Sequence, residues 1–431
     1  MIDIDFQKIP YQDISEMSLL ILQNGDNNYC TAARDWSDVI QEYHKNTRKV
    51  NYKSLYSTRG FEGTKKYLHD YIDKNNVSIV YFDSPVDHAL DITFLGELRK
   101  KAFMMIAFDD TALFFNDWFR YLSQAFDLIL SHDYVEKYRF ALFGTKSLFF
   151  PQISNLKDFY DLDVDSIKKD ILISFVGRTD RIGRKEFLDH LEKNNVAVEL
   201  YGEGTKNGMI TAEQKIDIYK RSKISLNFSG CAEYFHDKGV KKIDKRIKQV
   251  KGRIWELVLC KTLVITDYAP CLERSFNIGE EIVIFEDERD MLEKVRYYMQ
   301  NDAERERIAL NGLNRARRDV NYREIVRNLL QLIYKYAKEK KYHPNEIILD
   351  DDYLKSVSIR RVISAVNFLK HKKYRLACEE LDLIIRSRKV NIIESLWAIF
   401  KEIFRPVVKN NNTLSKIALF IRKANKFFVS Y

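Results

Sequence analysis

The sequence predicts an α/β protein with two doubly wound domains in series and a helical segment after them. Short apolar runs alternate with amphipathic helical stretches through residue 150, the alternation begins again at residue 171, and strand-like runs end before residue 340. Near-continuous apolar strands joined by helices are typical of a parallel sheet that is covered on both faces. The predicted domains are 1–155, 170–335 and 340–431.

Five apolar runs predict the strands of each domain. In the first domain they are SLLILQNG (18–25), SIVYFDS (78–84), FMMIAFDD (103–110), FDLILSHD (126–133) and SLFFPQ (147–152). In the second domain they are ILISFVG (171–177), VAVELYG (196–202), KISLNFS (223–229), TLVITD (262–267) and EIVIFED (281–287). Two such domains imply a cleft between them, with ligand sites at the carboxyl ends of the strands.

Helical periodicity predicts the connections and the C-terminal segment. In the second domain the predicted helices are 184–194, 211–221, 288–300, 302–318 and 322–338. Beyond residue 340 the segments SIRRVISAVNFLK, RLACEELDLIIR and IIESLWAIFKEIF predict three further helices. The last residues, 401–431, carry seven basic residues and one acid, which fits a membrane-surface helix or a helix packed on the protein itself.

Composition excludes several classes of protein. With 45% apolar, 31% charged and 13% aromatic residues among 431, the chain is globular and not disordered. No run approaches eighteen uncharged apolar residues, and acids stand where a secretory signal needs a basic start, so we expect a cytoplasmic protein. The five cysteines are scattered singly, which predicts neither a disulfide framework nor a cysteine zinc site.

The net charge of +9 is concentrated at the C-terminal end. Residues 335–431 hold 21 Lys/Arg and 10 Asp/Glu, so the first 334 residues carry a net charge of −2. A nearly neutral core argues against nucleic acid as a partner, whereas the basic extension suits an anionic surface or partner.

Two motifs of the second domain are candidates for binding an anionic ligand. Phe175-Val176-Gly177-Arg178, followed by Arg184 at a helix start, combines a tight glycine turn with guanidinium groups that grip a diphosphate. Lys251-Gly252-Arg253 opens a helix in which Arg253 and Glu256 share one face. Glu256 is suited to accept both hydroxyl hydrogens of a ribose. The alternatives are a glycine turn with solvated arginines, and a surface pair of opposite charge.

Together these residues resemble glycosyltransferases of the spore-maturation-protein (CgeB-like) type. The similarity covers roughly residues 100–335 and includes KISLN (223–227), Leu272-Glu273, Gly279 to Ile282, and the closing stretch from Tyr297 to Tyr322. The resemblance implies the GT-B architecture, in which two Rossmann-like domains face each other. It implies that the C-terminal domain binds a nucleotide-sugar donor and that the N-terminal domain binds the acceptor, which is a glycan, a lipid-linked molecule or a protein.

In that family reading Glu256 holds the donor ribose, and the diphosphate is surrounded by basic residues, namely Arg178, Arg184, Lys251 and Arg253. No metal or other cofactor is then required, because these cations stabilise the departing nucleoside diphosphate.

The pattern departs from the family at Lys248, where many retaining enzymes carry a second glutamate eight residues before the ribose-binding one. The stretch Lys238–Arg253 has eight basic residues in sixteen, suited to clamp phosphate or acceptor, or to form a solvated loop.

Candidate catalytic bases follow strands of the first domain. Asp109-Asp110 and His132 are each placed where a strand ends, and each is able to take a proton from an acceptor hydroxyl. The alternative for Asp110 is a helix cap, and Asp133 with Glu136 has the spacing of a capping box. The loop Gly25–Tyr29 suits hydrogen bonding to a sugar or a simple turn, and His88 is a further candidate base.

A glycosyltransferase is thus the predicted function, and two alternatives remain. One is another GT-B enzyme such as a nucleotide-sugar epimerase or a glycan phosphorylase, and the other is a non-enzymatic binder of anionic surfaces through the basic tail. For a transferase that builds lipid-linked or bacterial cell-surface glycans, peripheral membrane attachment through 401–431 would bring the enzyme close to its acceptor.

Overall fold

The computed structural model describes residues 11–23, 32–82, 90–108, 110–151, 156–179, 183–230, 247–340, 347–387 and 395. The described chain forms two compact units. The first unit contains two parallel sheets with their surrounding helices, and the second contains residues 53–68 and the helices beyond residue 350. The three predicted domain limits stay a prediction.

The N-terminal sheet has six parallel strands in the order β2-β1-β3-β4-β5-β6. The strands are β1 (Leu19–Gln23), β2 (Thr47–Asn51), β3 (Ile79–Phe82), β4 (Phe103–Phe108), β5 (Leu128–Ser131) and β6 (Lys146–Phe149). Five of them confirm the predicted apolar runs. The edge strand β2 was not predicted, because its sequence TRKVN is polar and only Thr47 in it is buried.

Helices connect these strands in the doubly wound manner. They are α1 (Ala32–Tyr43), α2 (Tyr52–Lys74), α3 (Ile92–Arg99), α4 (Thr111–Phe114), α5 (Arg120–Leu122), α6 (Glu136–Leu142) and α7 (Leu156–Tyr160). A π-helical turn (Phe115–Phe119) and a 3-10 turn (Ser123–Ala125) flank α5. The apolar residues of β1, β3, β4 and β5 are buried, as a sheet covered on both faces requires, while Leu148 of the edge strand β6 is half-buried.

The C-terminal sheet has five parallel strands in the order β11-β10-β9-β7-β8. The strands are β7 (Ile171–Val176), β8 (Glu199–Tyr201), β9 (Ser222–Asn227), β10 (Leu263–Asp267) and β11 (Val283–Phe285). Its helices are α8 (Arg184–Lys193), α9 (Ala212–Arg221), α10 (Gly252–Leu259), α11 (Leu272–Ser275), α12 (Glu288–Gln300), α13 (Asp302–Asp319) and α14 (Tyr322–Glu339). The strand order reverses between β7 and β9, which is where ligands of such sheets bind.

The end of the C-terminal region returns to the N-terminal sheet. In α14, the amide of Gln331 exchanges two hydrogen bonds with the backbone of Gln12, at 2.7 and 3.0 Å. Just after α14, Lys340 donates to Asp127 and to the carbonyl of Ala102, both at 2.8 Å. Apolar side chains from both halves share one buried cluster, so the two sheets are held in one compact unit.

The second unit contains α15 (Asp351–Lys370) and α16 (Tyr374–Ser387), which confirm two of the three helices predicted beyond residue 340. The third predicted helix lies outside the described residues. In α2 the backbone at Gly60 has φ 75°, and the amide of Glu62 after this kink donates to the Glu379 carboxylate at 2.7 Å. Among the described helices, none combines the length and the apolar character that crossing a bilayer demands.

Candidate functional site

A glycine turn closes β7 at the switch point of the C-terminal sheet. Gly177 has φ 153°, and its amide donates to the carbonyl of Tyr201 at 2.7 Å. Gly202 packs against this turn so closely that a Cβ on it would lie 2.7 Å from the Gly177 carbonyl oxygen. Because neither glycine has a Cβ, the backbones at the ends of β7 and β8 come into contact. The space that side chains would occupy there is left for long side chains from other segments.

Three of the predicted donor-site arginines converge on this turn. Arg184 is a buried residue, 4% exposed. Its guanidinium lies 5.8 Å from the Phe175 ring centre and donates to the carbonyl of Arg178 at 3.1 Å. Arg253 lies 5.5 Å from the same ring and reaches to 3.1 Å from the position that a Gly177 Cβ would occupy. The structure thus gathers basic side chains from three separate segments at one strand end.

Polar partners hold the two half-buried arginines of this cluster. Arg178 forms an ion pair with Glu203 at 3.0 Å. Arg253 donates to the Asn227 amide oxygen at 3.5 Å, and Asn227 ends the neighbouring strand β9. The cluster therefore spans both sides of the switch point, where an anion would meet several cations at once.

Lys251 precedes α10 and faces the N-terminal sheet. Its ammonium lies 3.2 Å from the carboxylate of Asp110, which follows β4, and 3.2 Å from the amide oxygen of Gln249. Asp110 has φ 48° and forms no side-chain cap on α4, so the alternative prediction that it caps this helix is not what the structure shows. The contact joins the carboxyl-end regions of the two sheets.

Glu256, which the sequence predicts as the ribose ligand, is a buried side chain of α10. It is 4% exposed, and its carboxylate pairs with Lys215 of α9 at 3.1 Å. Lys215 comes from 41 positions earlier in the chain, and its ammonium lies 5.3 Å from the Phe159 ring. Helix packing thus provides Glu256 with a half-buried cationic partner, and its role at a donor ribose stays a prediction.

His132 lies at the carboxyl end of β5 and is buried. Its Nδ1 is 2.6 Å from the carbonyl oxygen of Phe150. Because a carbonyl only accepts, Nδ1 carries the proton of the neutral ring and Nε2 is the atom able to take one. His132 lines a cavity of about 20 Å³ with Asp133 and Arg274. A cavity of that volume holds about one water molecule and is too small for a sugar. We call it the recess, a small cavity where residues of the two sheets' connecting segments pack together.

The same recess contains two residues that sequence reasoning did not single out. Arg274 donates to the Tyr134 hydroxyl at 2.7 Å and lies 4.3 Å from its ring centre, which again connects the two sheets. The capping prediction for Asp133 is met in part: its carboxylate accepts from the amides of Val135 and Glu136, whereas its own amide donates to the Ser131 hydroxyl and the Glu136 carboxylate binds Arg139. Burial raises the pKa of Asp133, although the charges of Lys251 and Arg139 oppose the shift.

The segment before Lys251 forms a short ribbon with the end of β9. Gln249 donates its backbone amide to Ser229, and Lys248 pairs with the Asp267 carboxylate at 3.0 Å. Lys248, where the resemblance departs from retaining enzymes, is therefore paired with an acid from the end of β10. The side-chain nitrogen of Gln249 is buried without a hydrogen-bond partner among the described residues.

Several sequence predictions fall outside the described residues. These are Asp109, the loop Gly25–Tyr29, His88, and the part of the basic stretch from 238 to 246. Among the residues that are described, no three His, Cys, Asp or Glu side chains are grouped to hold a metal ion. The expectation of metal-independent chemistry stays a prediction.

Residues 178–331 match a protein-family model described as "Glycosyl transferase-like". The matched segment begins at Arg178 and contains the arginine cluster, Lys251 and Glu256. No curated protein sequence matches the chain.

Solved structures resemble the chain more widely. A glycosyltransferase from Rickettsia africae superposes with a TM-score of 0.54 at 11% identity, and a sucrose-phosphate synthase from Thermosynechococcus elongatus with 0.53 at 12%. HepE from Anabaena in complex with UDP gives 0.50 at 11%. Each match covers 75% of this chain and 100% of the other. The GT-B fold is thus confirmed, and the chain carries a glycosyltransferase-like domain.

Proposed function

We propose that this protein transfers a sugar from a nucleoside diphosphate donor to a glycan, lipid-linked or protein acceptor. The observation that supports it best is the convergence of Arg178, Arg184 and Arg253 around the Gly177 turn. This cluster lies at the switch point of the C-terminal sheet and inside the segment that matches the glycosyltransferase family model. A diphosphate carries the charge and the paired oxygens that guanidinium groups recognise.

The donor pocket works through fixed cations. As the bond from the sugar to the diphosphate breaks, negative charge grows on the leaving oxygen, and cations already in place stabilise it without reorganisation. Arg253 and Lys251 lie at the start of α10, whose backbone amides add to the positive potential there. In this proposal Arg253, Lys251 and the amides of α10 stabilise the leaving diphosphate in place of a divalent ion.

Glu256 keeps its proposed role as the ribose ligand, with one addition from the structure. Its carboxylate pairs with Lys215 at 3.1 Å, which orients it, and in this proposal the ribose hydroxyls donate to the same carboxylate. A buried carboxylate favours a ligand that donates a hydrogen bond to it over a ligand that lacks the donor. The reason is that the carboxylate has already lost its water, so leaving it without a hydrogen bond costs free energy.

On the acceptor side, His132 is the described base candidate with a defined tautomer. Its Nδ1 is committed to the Phe150 carbonyl, which aims the basic Nε2. Asp110 and Asp109 stay base candidates from the sequence, and in this proposal Asp110 also orients Lys251 through their ion pair at 3.2 Å.

Within the GT-B fold we assign the protein to the spore-maturation-protein type on the motifs from Phe175 to Tyr322 that the sequence shares with it.

We further propose peripheral membrane contact through residues 401–431, which lie outside the described residues. Flotation of the full chain and of a chain ending at residue 387 with liposomes tests that contact, and equal flotation of both would contradict it.

A thermal-shift screen of nucleoside diphosphates and nucleotide sugars tests the function. UDP is the first probe, because the structure of HepE was solved with it. We expect one nucleotide family to raise the melting temperature in the presence of EDTA, and the matching nucleotide sugar to release its nucleoside diphosphate when acceptor is added. An epimerase would instead convert one nucleotide sugar into another without acceptor, and no nucleotide response at all would overturn the proposal.

A further inference from the structure

Helix α6 and the turn after it present large apolar side chains to solvent. Leu142 is 85% exposed, Tyr138 53%, Phe143 48% and Val135 39%. Val135, Tyr138 and Leu142 follow one another at spacings of three and four, so they share one helix face, and Phe143 extends it. We call these four residues the α6 patch. Contiguous exposed apolar groups of this size mark an interaction surface more often than isolated ones do.

The exposed charges of the chain segment that carries the α6 patch are of one sign. Residues 134–146 contain Lys137, Arg139 and Lys146, with Glu136 as their only acid. Glu136 is buried and bound by Arg139 at 2.9 Å, so no exposed carboxylate stands within this segment. Lys137 lies over the rings of Tyr134 and Tyr138, at 4.2 and 5.1 Å. An apolar face flanked by cations and tyrosine is typical of a surface that enters the headgroup region of an anionic bilayer.

The shape of the α6 patch also favours lipid. A leucine exposed by 85% protrudes from the surface, and a protruding side chain inserts into deformable lipid more readily than it fits a rigid partner. The patch adjoins the recess between the sheets, since Tyr134 lines that recess and its ring centre lies 5.8 Å from that of Tyr138. A bilayer at the patch would therefore lie beside the cleft.

We propose that the α6 patch docks the protein on an anionic lipid bilayer. The proposal concerns a different segment from 401–431 and does not depend on sugar transfer. It accounts for an apolar face that stays largely exposed although Phe143 lies 5.6 Å from the ring of the buried Phe115 and Tyr138 contacts Tyr134. It predicts that Leu142 and Phe143 enter the acyl-chain boundary while Lys137 and Lys146 meet phosphate groups.

The experiment compares full-length variants on vesicles of phosphatidylcholine with and without phosphatidylglycerol. We expect the wild type to bind the anionic vesicles, and the double variant Leu142→Ser/Phe143→Ser to bind at least about tenfold more weakly. The matched control Leu310→Ser/Ile385→Ser removes two exposed apolar side chains elsewhere and should bind like the wild type. All chains keep residues 401–431, so binding by the tail is the same in each.

A second variant reports insertion directly. In Phe143→Trp, the emission added by the new tryptophan should be quenched by vesicles with brominated acyl chains, relative to the wild type. Equal vesicle binding by the patch variant and the wild type, or no quenching of the new tryptophan, would overturn the proposal. A dimer that the double substitution abolishes, with vesicle binding unchanged, would assign the patch to a second copy of the chain.

Discussion

The ammonium of Lys251 lies 3.2 Å from the carboxylate of Asp110, a residue 141 positions earlier in the chain. Lys251 stands at the start of α10 beside the arginine cluster, and Asp110 follows β4 in the other sheet. The ion pair thus joins the proposed donor pocket to the side from which an acceptor would approach. Both side chains are largely buried, so solvent weakens their attraction less than at an open surface.

A double-mutant cycle measures this link. Lys251→Met and Asp110→Asn should show a coupling energy of about 1 kcal/mol or more in the free energy of unfolding, because the pair is shielded. The exposed pair Lys261–Asp165 is the matched control, and its cycle should give about 0.5 kcal/mol or less. Equal coupling in both cycles would show that the sheets are not joined by this contact in solution.

Gly177→Ala tests whether the bare turn positions Arg253. A Cβ here would meet Arg253 and Phe175 at 3.1 Å on a backbone with positive φ, so we expect a loss of about 1–3 kcal/mol in stability and weaker nucleotide binding. Gly279→Ala shares the positive φ but meets no atom within 4 Å, so it should lose stability and keep nucleotide affinity. Parallel calorimetry on the two variants checks this, and equal affinity in both would contradict it.

Glu256→Gln separates the two roles of that residue. Removing the charge leaves Lys215 without its buried partner, and we expect the free energy of unfolding to fall by about 1–3 kcal/mol. Lys215→Met combined with Glu256→Gln should recover part of this loss. If Glu256 also binds ribose, both variants will bind the nucleotide more weakly, whereas normal affinity in the double variant would remove the ribose role.

Lys169 predicts a pH dependence of stability far from the site. Its ammonium donates to three carbonyls and the Thr262 hydroxyl, and burial lowers its pKa to about 8 from 10.5. Between these values the unfolded chain binds more protons than the folded one, so this lysine makes stability rise with pH.

Denaturant titrations over this pH range measure the effect. The difference in unfolding free energy between wild type and Lys169→Met should be constant below pH 8 and increase by up to about 3 kcal/mol towards pH 10.5. Lys168→Met, which removes the adjacent exposed lysine, is the matched control for the loss of one positive charge. A flat profile for Lys169→Met would contradict the burial argument.

The sequence predicted the strands well because a doubly covered parallel sheet requires almost continuous apolar runs, as in FMMIAF of β4. It missed β2, since an edge strand has little buried surface and TRKVN has no such run. The glycine turn and its arginines were also predictable, because the required residue types are adjacent or open a helix. The unpredicted contacts are those between distant segments.

The partners of Glu256 and Asp110 illustrate that limit. They lie 41 and 141 positions away in the chain, and nothing local in either motif indicates Lys215 or Lys251. Helical periodicity shows which residues share a face but not what packs against that face. Arg274 was missed for the same reason, since its role depends on Tyr134 of the other sheet.

Isothermal titration of UDP in the presence of EDTA tests the central claim most directly. The account predicts that the wild type binds without a divalent ion and that Arg253→Ala loses at least about tenfold in affinity, since a charged hydrogen bond to phosphate contributes about 1.5–3 kcal/mol. The control Arg289→Ala, on the exposed first turn of α12, should bind as tightly as the wild type. Unchanged affinity in Arg253→Ala, or binding that requires a divalent ion, would contradict the account.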